Sequence, residues 1–208
     1  MEIGFLITAF VTLFVVIDPI GLTPLFAVLT QGETAWRRRM IALRACLIAL
    51  GLLTAFGLFG EELLAGIGIS MPAFKIAGGL LLFLTALDML FERRTRRREG
   101  HSDDGADDPS VFPLAMPLIA GPGAMASMIL LTDQASAGWL GVLAVHGVML
   151  AVIAMAFALF LAAGLLERLL GRMGILVITR LLGMLLAALS VQFVIDGLRE
   201  VGPAITGA

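Results

Sequence analysis

Apolar residues run along the chain in six long blocks, at about 3–29, 40–60, 71–91, 111–131, 139–166 and 175–198. A helix needs roughly 20 apolar residues to cross a hydrocarbon core of about 30 Å, and each block has that length. The blocks are apolar on every side and do not alternate with period two, so they predict helices, not strands. The expected fold class is an all-α polytopic membrane protein with six transmembrane helices. The first block is expected to be a span and not a cleaved leader. Glu2 is acidic where a leader carries cations, no small-residue cleavage site follows, and the block is too long.

Composition sharpens this reading. Of 208 residues, 60% are hydrophobic and 14% charged, whereas a soluble domain runs at about 45–50% and about 25%. An ordinary soluble enzyme is excluded. The net charge of −2 offers no basic surface to nucleic acid. The single cysteine, Cys46, excludes a disulfide framework and a thiolate metal cluster, and no cofactor or metal is expected.

Charge also orients the chain. Placing successive connections on alternate sides puts Arg37, Arg38, Arg39, Arg93, Arg94, Arg96, Arg97, Arg98, Arg168 and Arg172 on one face, with Arg44 and Arg180 a turn or two inside it. Only Lys75 and Arg199 lie toward the other face, with Glu2, Glu61, Glu62 and Asp133. The positive-inside rule makes the arginine face cytoplasmic and puts both termini outside. The expected location is a bacterial inner membrane.

The one soluble-looking stretch, 92–110, joins a run of arginines to Asp103, Asp104, Asp107 and Asp108. His101 in the same stretch raises the thought of a metal, but this composition reads first as a solvated cytoplasmic linker whose arginines can rest on anionic headgroups. The linker divides the chain into 1–91 and 111–208, three helices each. Because three is odd, the second set enters from the opposite side, the arithmetic of a 3+3 inverted-topology repeat. Polar features recur at nearly one offset: Pro19 and Pro122 are 103 apart, Lys75 and Arg180 105, Arg44 and His146 102.

The first helix of each half is predicted to be discontinuous. One carries Asp18-Pro19-Ile20-Gly21-Leu22-Thr23-Pro24, the other Pro117-Leu118-Ile119-Ala120-Gly121-Pro122-Gly123. Proline removes an amide and clashes with the preceding turn, at about 3 kcal/mol in a helix interior, and lipid cannot satisfy the freed groups. Asp at an N-cap followed by Pro at the first helical position predicts a new half-helix from Asp18-Pro19 to residue 30. Gly121-Pro122 predicts a second one to residue 131. Asp18 lies about 22 Å along its helix and Pro122 about 16 Å along the other, both inside the bilayer. Inverted halves would bring the two N-termini face to face, a device for holding a small anion or carboxylate.

Several residues add candidate chemistry. Asp18 can accept a solute ammonium or a coupling proton, besides capping its own half-helix. Arg44 is deep enough to pair with an aspartate of a neighbouring helix or to line a path, and Lys75 can snorkel to Glu61 or Glu62 or face the pore. His146 can relay a proton or pack against another helix. Gln192, one turn before Asp196, can donate to a solute or to another helix.

Four stretches together resemble a known family: Asp18-Pro19-Ile20-Gly21 with Pro24-Leu25-Phe26, Phe74-Lys75-Ile76-Ala77-Gly78-Gly79, Pro117 through Ala124, and Val191-Gln192-Phe193-Val194-Ile195-Asp196-Gly197. They are similar to the MarC family of bacterial inner-membrane proteins across nearly the whole chain. The resemblance implies a six-helix protein of the transporter superfamily that includes LysE-type amino-acid exporters, some members being described as neutral amino-acid transporters.

The expected function is therefore a secondary transporter or exporter of a small solute such as a neutral amino acid, by alternating access and with a proton as a candidate coupling ion. The solute site is expected at Asp18, Pro19, Gly21, Thr23, Pro24, Gly121, Pro122 and Gly123, with Arg44, Lys75, His146 and Gln192 along the path. The expected partners are the lipid bilayer and the solute, with a homo-oligomer left open. A non-transporting accessory or sensor is the alternative. An intramembrane hydrolase is disfavoured because Ser127 and Ser190 lack a Gly-x-Ser setting and no HExxH or paired-aspartate signature occurs.

Overall fold

A computed structural model describes residues 3–91, 108–135 and 138–206, so the run of arginines and His101 lie outside the described residues. The helices are α1 (Ile3–Ile17), α2 (Pro19–Leu29), α3 (Ala35–Gly66), α4 (Met71–Leu90), α5 (Ser110–Ile119), α6 (Pro122–Asp133), α7 (Trp139–Leu161) and α8 (Ala163–Thr206). Five stretches are long and apolar enough to cross a membrane, and the bent pair of α5 and α6 makes a sixth. The expected all-α membrane architecture stands.

Boundaries follow local chemistry. Thr34 starts α3 by accepting from the Arg37 amide at 3.3 Å, and Ser70 starts α4 by accepting from the Ala73 amide at 3.4 Å. One boundary differs from expectation. The fifth block ends as a helix at Leu161, and residues from Ala163 onward belong to α8. Gly171, with φ 61° and ψ 172°, then breaks α8 ahead of the membrane-length stretch Met173–Val201. Only glycine holds that conformation cheaply.

Two ionic contacts order the ends of the bundle. Lys75 Nζ lies 3.0 Å from Asp133 Oδ2 and 2.8 Å from Glu200 Oε1, so the start of α4 meets the ends of α6 and α8. Arg44 lies 3.1 Å from Asp108, so the first turns of α3 meet the residues ahead of α5 at the opposite end.

Between the ends, packing relies on small residues. Lipid tails are as apolar as leucine, so helices associate through close fit and not through water exclusion. The inner stripe of α3 is Ala42, Ala45, Ala49, Leu53, Gly57 and Gly60, recurring every three or four residues and buried. Along the α4–α8 seam a Cβ on Gly79 would stand 2.8 Å from the Ser190 carbonyl oxygen, and one on Gly197 2.9 Å from that of Pro72. The seam needs glycine at both points. Large side chains such as Leu47, Leu84, Leu150 and Leu181 point outward, as a lipid-facing surface requires.

Candidate functional site

The first break is built around Asp18. Its amide donates to the Phe14 carbonyl at 2.9 Å, closing α1, and its own carbonyl accepts from the Leu22 amide at 2.9 Å, opening α2. Its backbone is left-handed, φ 52° and ψ 60°, alone among the described non-glycine residues in having positive φ. Aspartate tolerates that region because its short polar side chain bonds locally. Here Oδ1 accepts from the Gly21 amide at 3.0 Å. Pro19 follows at the first helical position, where no amide is needed. Thr23 donates its hydroxyl to the Pro19 carbonyl at 2.8 Å. Pro24, within α2, lacks the amide that would bond the Ile20 carbonyl.

The chain does not bend by more than 40° here. Ile3–Leu29 runs on as one 27-residue span, so the expected break is a nick. The left-handed Asp18 lets the hydrogen-bond ladder resume at Leu22. Asp18, Pro19 and Thr23 are buried, and Gly21 and Pro24 half-buried. A Cβ on Gly21 would overlap the Asp18 carboxylate and stand 2.9 Å from Thr179 Oγ1 of α8, so glycine is required where α8 crosses the break.

The second break is of another kind. Pro113 and Pro117 lie inside α5, and Phe112 and Met116, each ahead of a proline, are extended (φ −127° and −129°). Gly121 is extended, φ −80° and ψ 169°, and caps α6 without a side-chain bond; Pro122 is the first helical residue. Helices α5 and α6 meet at 52°. A Cβ on Gly121 would stand 2.5 Å from the Pro117 carbonyl oxygen. The first-turn amides of α6, at Gly123 and Ala124, are of the kind an α-helix leaves without internal acceptors.

The two breaks come together. A Cβ on Gly123 would lie 3.5 Å from Val16 Cγ1 of α1, 3.1 Å from Leu82 Cδ2 and 3.4 Å from Thr85 Oγ1 of α4. Val16 is two residues before Asp18. From this level α2 runs to the Arg44 end and α6 to the Lys75 end, so two helix N-termini share one depth. Gly123 is buried at the contact, whereas Gly121 is half-buried and Pro122 exposed.

The remaining predicted residues lie elsewhere. Lys75, 6% exposed, pairs with Asp133 and Glu200 and not with Glu61 or Glu62. The alternation of spans carried that signal, because it sends the start of the third span to the same face as the ends of the fourth and sixth. Arg44 does pair with an aspartate, Asp108, on an exposed surface. The Ser110 hydroxyl and amide donate to Asp108 Oδ1 at 2.8 and 3.0 Å, and these bonds, more than Arg44, hold its carboxyl below the ordinary aspartate value. Gln192 donates to Asp196 of its own helix at 2.8 Å, not to another helix. His146 donates from Nδ1 to the Val142 carbonyl of its own helix at 2.8 Å. That ring lies 3.0 Å from where a Cβ on Gly57 of α3 would be, away from the breaks.

Two cavities lie outside the breaks. One of about 480 Å³, lined by Trp36, Arg37, Met40, Ile41, Arg44, Asp108 and Pro109, lies at the Arg44 end. The other, about 350 Å³, lies between α1 and α8 along Val11, Leu185, Ala188, Leu189 and Gln192. Neither is lined by Asp18 or by Gly123.

Comparison with known proteins accords with this architecture. A UPF0056 membrane protein of Methanocaldococcus jannaschii, MJ1677, is 36% identical over 202 residues, covering 96% of this chain and 98% of its own. YvbG of Bacillus subtilis, also named a UPF0056 membrane protein, is 35% identical over 99% of this chain and 100% of its own. YhgN of Escherichia coli, named a UPF0056 inner membrane protein, is 34% identical over 93% of this chain and 96% of its own. No solved structure matches the chain. The family model described as MarC family integral membrane protein matches residues 3–201, and this integral membrane protein belongs to the MarC family.

Proposed function

We propose that this chain is a secondary transporter of a small zwitterionic solute, a neutral amino acid, working by alternating access. One observation carries the reading: a carboxylate only 2% exposed, that of Asp18, stands at a helix break two residues from the contact with the uncapped N-terminus of α6. An ionisable group inside a membrane span costs at least about 2.5–3.5 kcal/mol, which a purely structural cap would not need, since asparagine caps as well.

In this reading the solute ammonium meets Asp18 and its carboxylate meets the first-turn amides of α6, where the helix dipole favours an anion. The breaks are closed against one another, with one cavity toward the Arg44 end and another alongside α1 and α8. Opening to each side in turn follows from rocking of one three-helix half against the other, in a 3+3 inverted repeat with the arginine face cytoplasmic and both termini outside. A proton carried by Asp18 is the coupling ion in this reading. The location this implies is a bacterial inner membrane.

The test is flux in proteoliposomes with a panel of neutral amino acids, with and without a pH gradient. The wild-type chain is expected to carry at least one, and Asp18→Asn, which keeps the cap and the backbone conformation and sheds the buried charge, to lose that flux while melting no lower than wild type. Undiminished flux through Asp18→Asn would remove the carboxylate from the mechanism.

A further inference from the structure

Among the described residues, most buried hydroxyls within the spans are satisfied by their own helices. Thr23 donates to Pro19 at 2.8 Å, Thr30 to Phe26 at 2.8 Å, Ser127 to Gly123 at 2.9 Å and Ser190 to Ala187 at 2.7 Å. This back-bonding is the ordinary resort of Ser and Thr in a membrane helix, where no water is at hand. Two threonines break the pattern. Among the described residues, the hydroxyl oxygens of Thr12 and Thr179 are buried and have no hydrogen-bond partner. Thr12 is 0% exposed.

Both flank the Asp18 break. Thr12 is one helical turn before Val16 on the same face of α1, and Val16 is the residue that meets Gly123. Thr179 Oγ1 stands 2.9 Å from the position a Cβ would take on Gly21, a point that the Asp18 carboxylate also reaches. Thr179 thus sits beside the carboxylate. Thr12 stands on the other side of the contact, about 9 Å from Asp18 along the axis. The third orphaned atom, His146 Nε2, belongs to the separate junction with Gly57.

A hydroxyl left unpaired in a dry interior costs about 1–3 kcal/mol. A group kept at that cost, at both flanks of one site, is explained when the site is filled by something that bonds it. We infer that Thr12 and Thr179 are solute-binding residues: Thr179 joins Asp18 in holding the ammonium end, and Thr12 bonds a polar, uncharged side chain reaching past Val16. The inference rests on the transport reading and deepens it by naming the solute class. A site that hydrogen-bonds its substrate rejects an analogue lacking the group, because the site's own polar atom is then left bare. Amino acids such as serine or glutamine therefore fit this site, and leucine does not.

The experiment uses the full chain in nanodiscs, reading the melting temperature alone and with serine, glutamine or leucine. Thr12→Val removes the hydroxyl at nearly equal volume, so it is expected to melt a few degrees higher than wild type without solute. The same variant, and Thr179→Val, should bind serine and glutamine about tenfold more weakly, with Thr12→Ser and Thr179→Ser close to wild type. Thr12→Val melting lower than wild type would show the hydroxyl to be bonded within the fold and overturn the inference. Unweakened binding of the polar amino acids to both valine variants, or binding of leucine as tight as serine, overturns it while leaving the transport reading intact. A wild-type chain that binds none of the three overturns the inference, and absence of flux across the full panel of neutral amino acids overturns the transport reading as well.

Discussion

The two breaks meet the same difficulty by different means. At each a proline removes an amide within a membrane helix. At Asp18 a left-handed aspartate closes one helix, opens the next, and caps it with its own carboxylate, so the two form one 27-residue span. At Gly121 the backbone goes extended, the cap has no side chain, and the chain bends by 52°. The first break therefore holds a carboxyl within one span, and the second holds backbone dipoles at a corner.

The largest effect is expected at the corner. Gly121→Ala puts a methyl 2.5 Å from the Pro117 carbonyl oxygen, a backbone atom that cannot step aside. We expect a loss of about 3 kcal/mol in SDS-driven unfolding from mixed micelles, at the upper end of overpacking costs. Gly123→Ala is the control, since the group it meets most closely is the end of a flexible side chain, Leu82 Cδ2, at 3.1 Å. Equal and small losses in both would mean that the corner relaxes freely and that the contrast between the breaks is overdrawn.

Next in size is the pair Asp18→Ala and Asp18→Asn. Alanine loses the bond to the Gly21 amide and the tolerance for positive φ, each worth about 1 kcal/mol, for a total of about 2 kcal/mol. Asparagine keeps both and sheds the buried charge, so the same unfolding assay should place it no lower than wild type. A large loss in Asn as well would assign the charge to stability and weaken its assignment to a solute.

Much of this was legible from local chemistry. Asp18-Pro19 and Gly121-Pro122 announce helix starts because cap and first-turn preferences act within three residues, and α2 and α6 begin where those pairs lie. What escaped was decided by conformation and by distant partners. That the first span stays one unit depends on Asp18 sustaining bonds to Phe14 and Leu22 at once, a left-handed geometry no spacing reveals. Lys75 finds Glu200 from 125 residues away, across the close α4–α8 seam. The orphaned hydroxyls were hidden for a like reason. Thr12 has a carbonyl four residues back, as Thr23 has, and only side-chain packing decides which of them uses it.

The smallest effect lies ahead of the corner, where α5 is tied down. Asp108 accepts from Ser110 twice and from Arg44 once, on a surface where its side chain is 42% exposed and that of Arg44 61%. An exposed ion pair of this kind contributes under about 1 kcal/mol. The Ser110 bonds come first among the causes that hold the Asp108 carboxyl below its usual 3.8. A folded value below the unfolded one means stability that is present above the ordinary aspartate range and lost as pH falls through the folded value. Carboxyl NMR titration of Asp108 between about pH 5 and pH 2 should therefore show a low midpoint that Ser110→Ala raises more than Arg44→Gln does. The reverse order would make the anchor of α5 ionic, and the bent break would then rest on a charge pair just as the first one rests on its carboxyl cap.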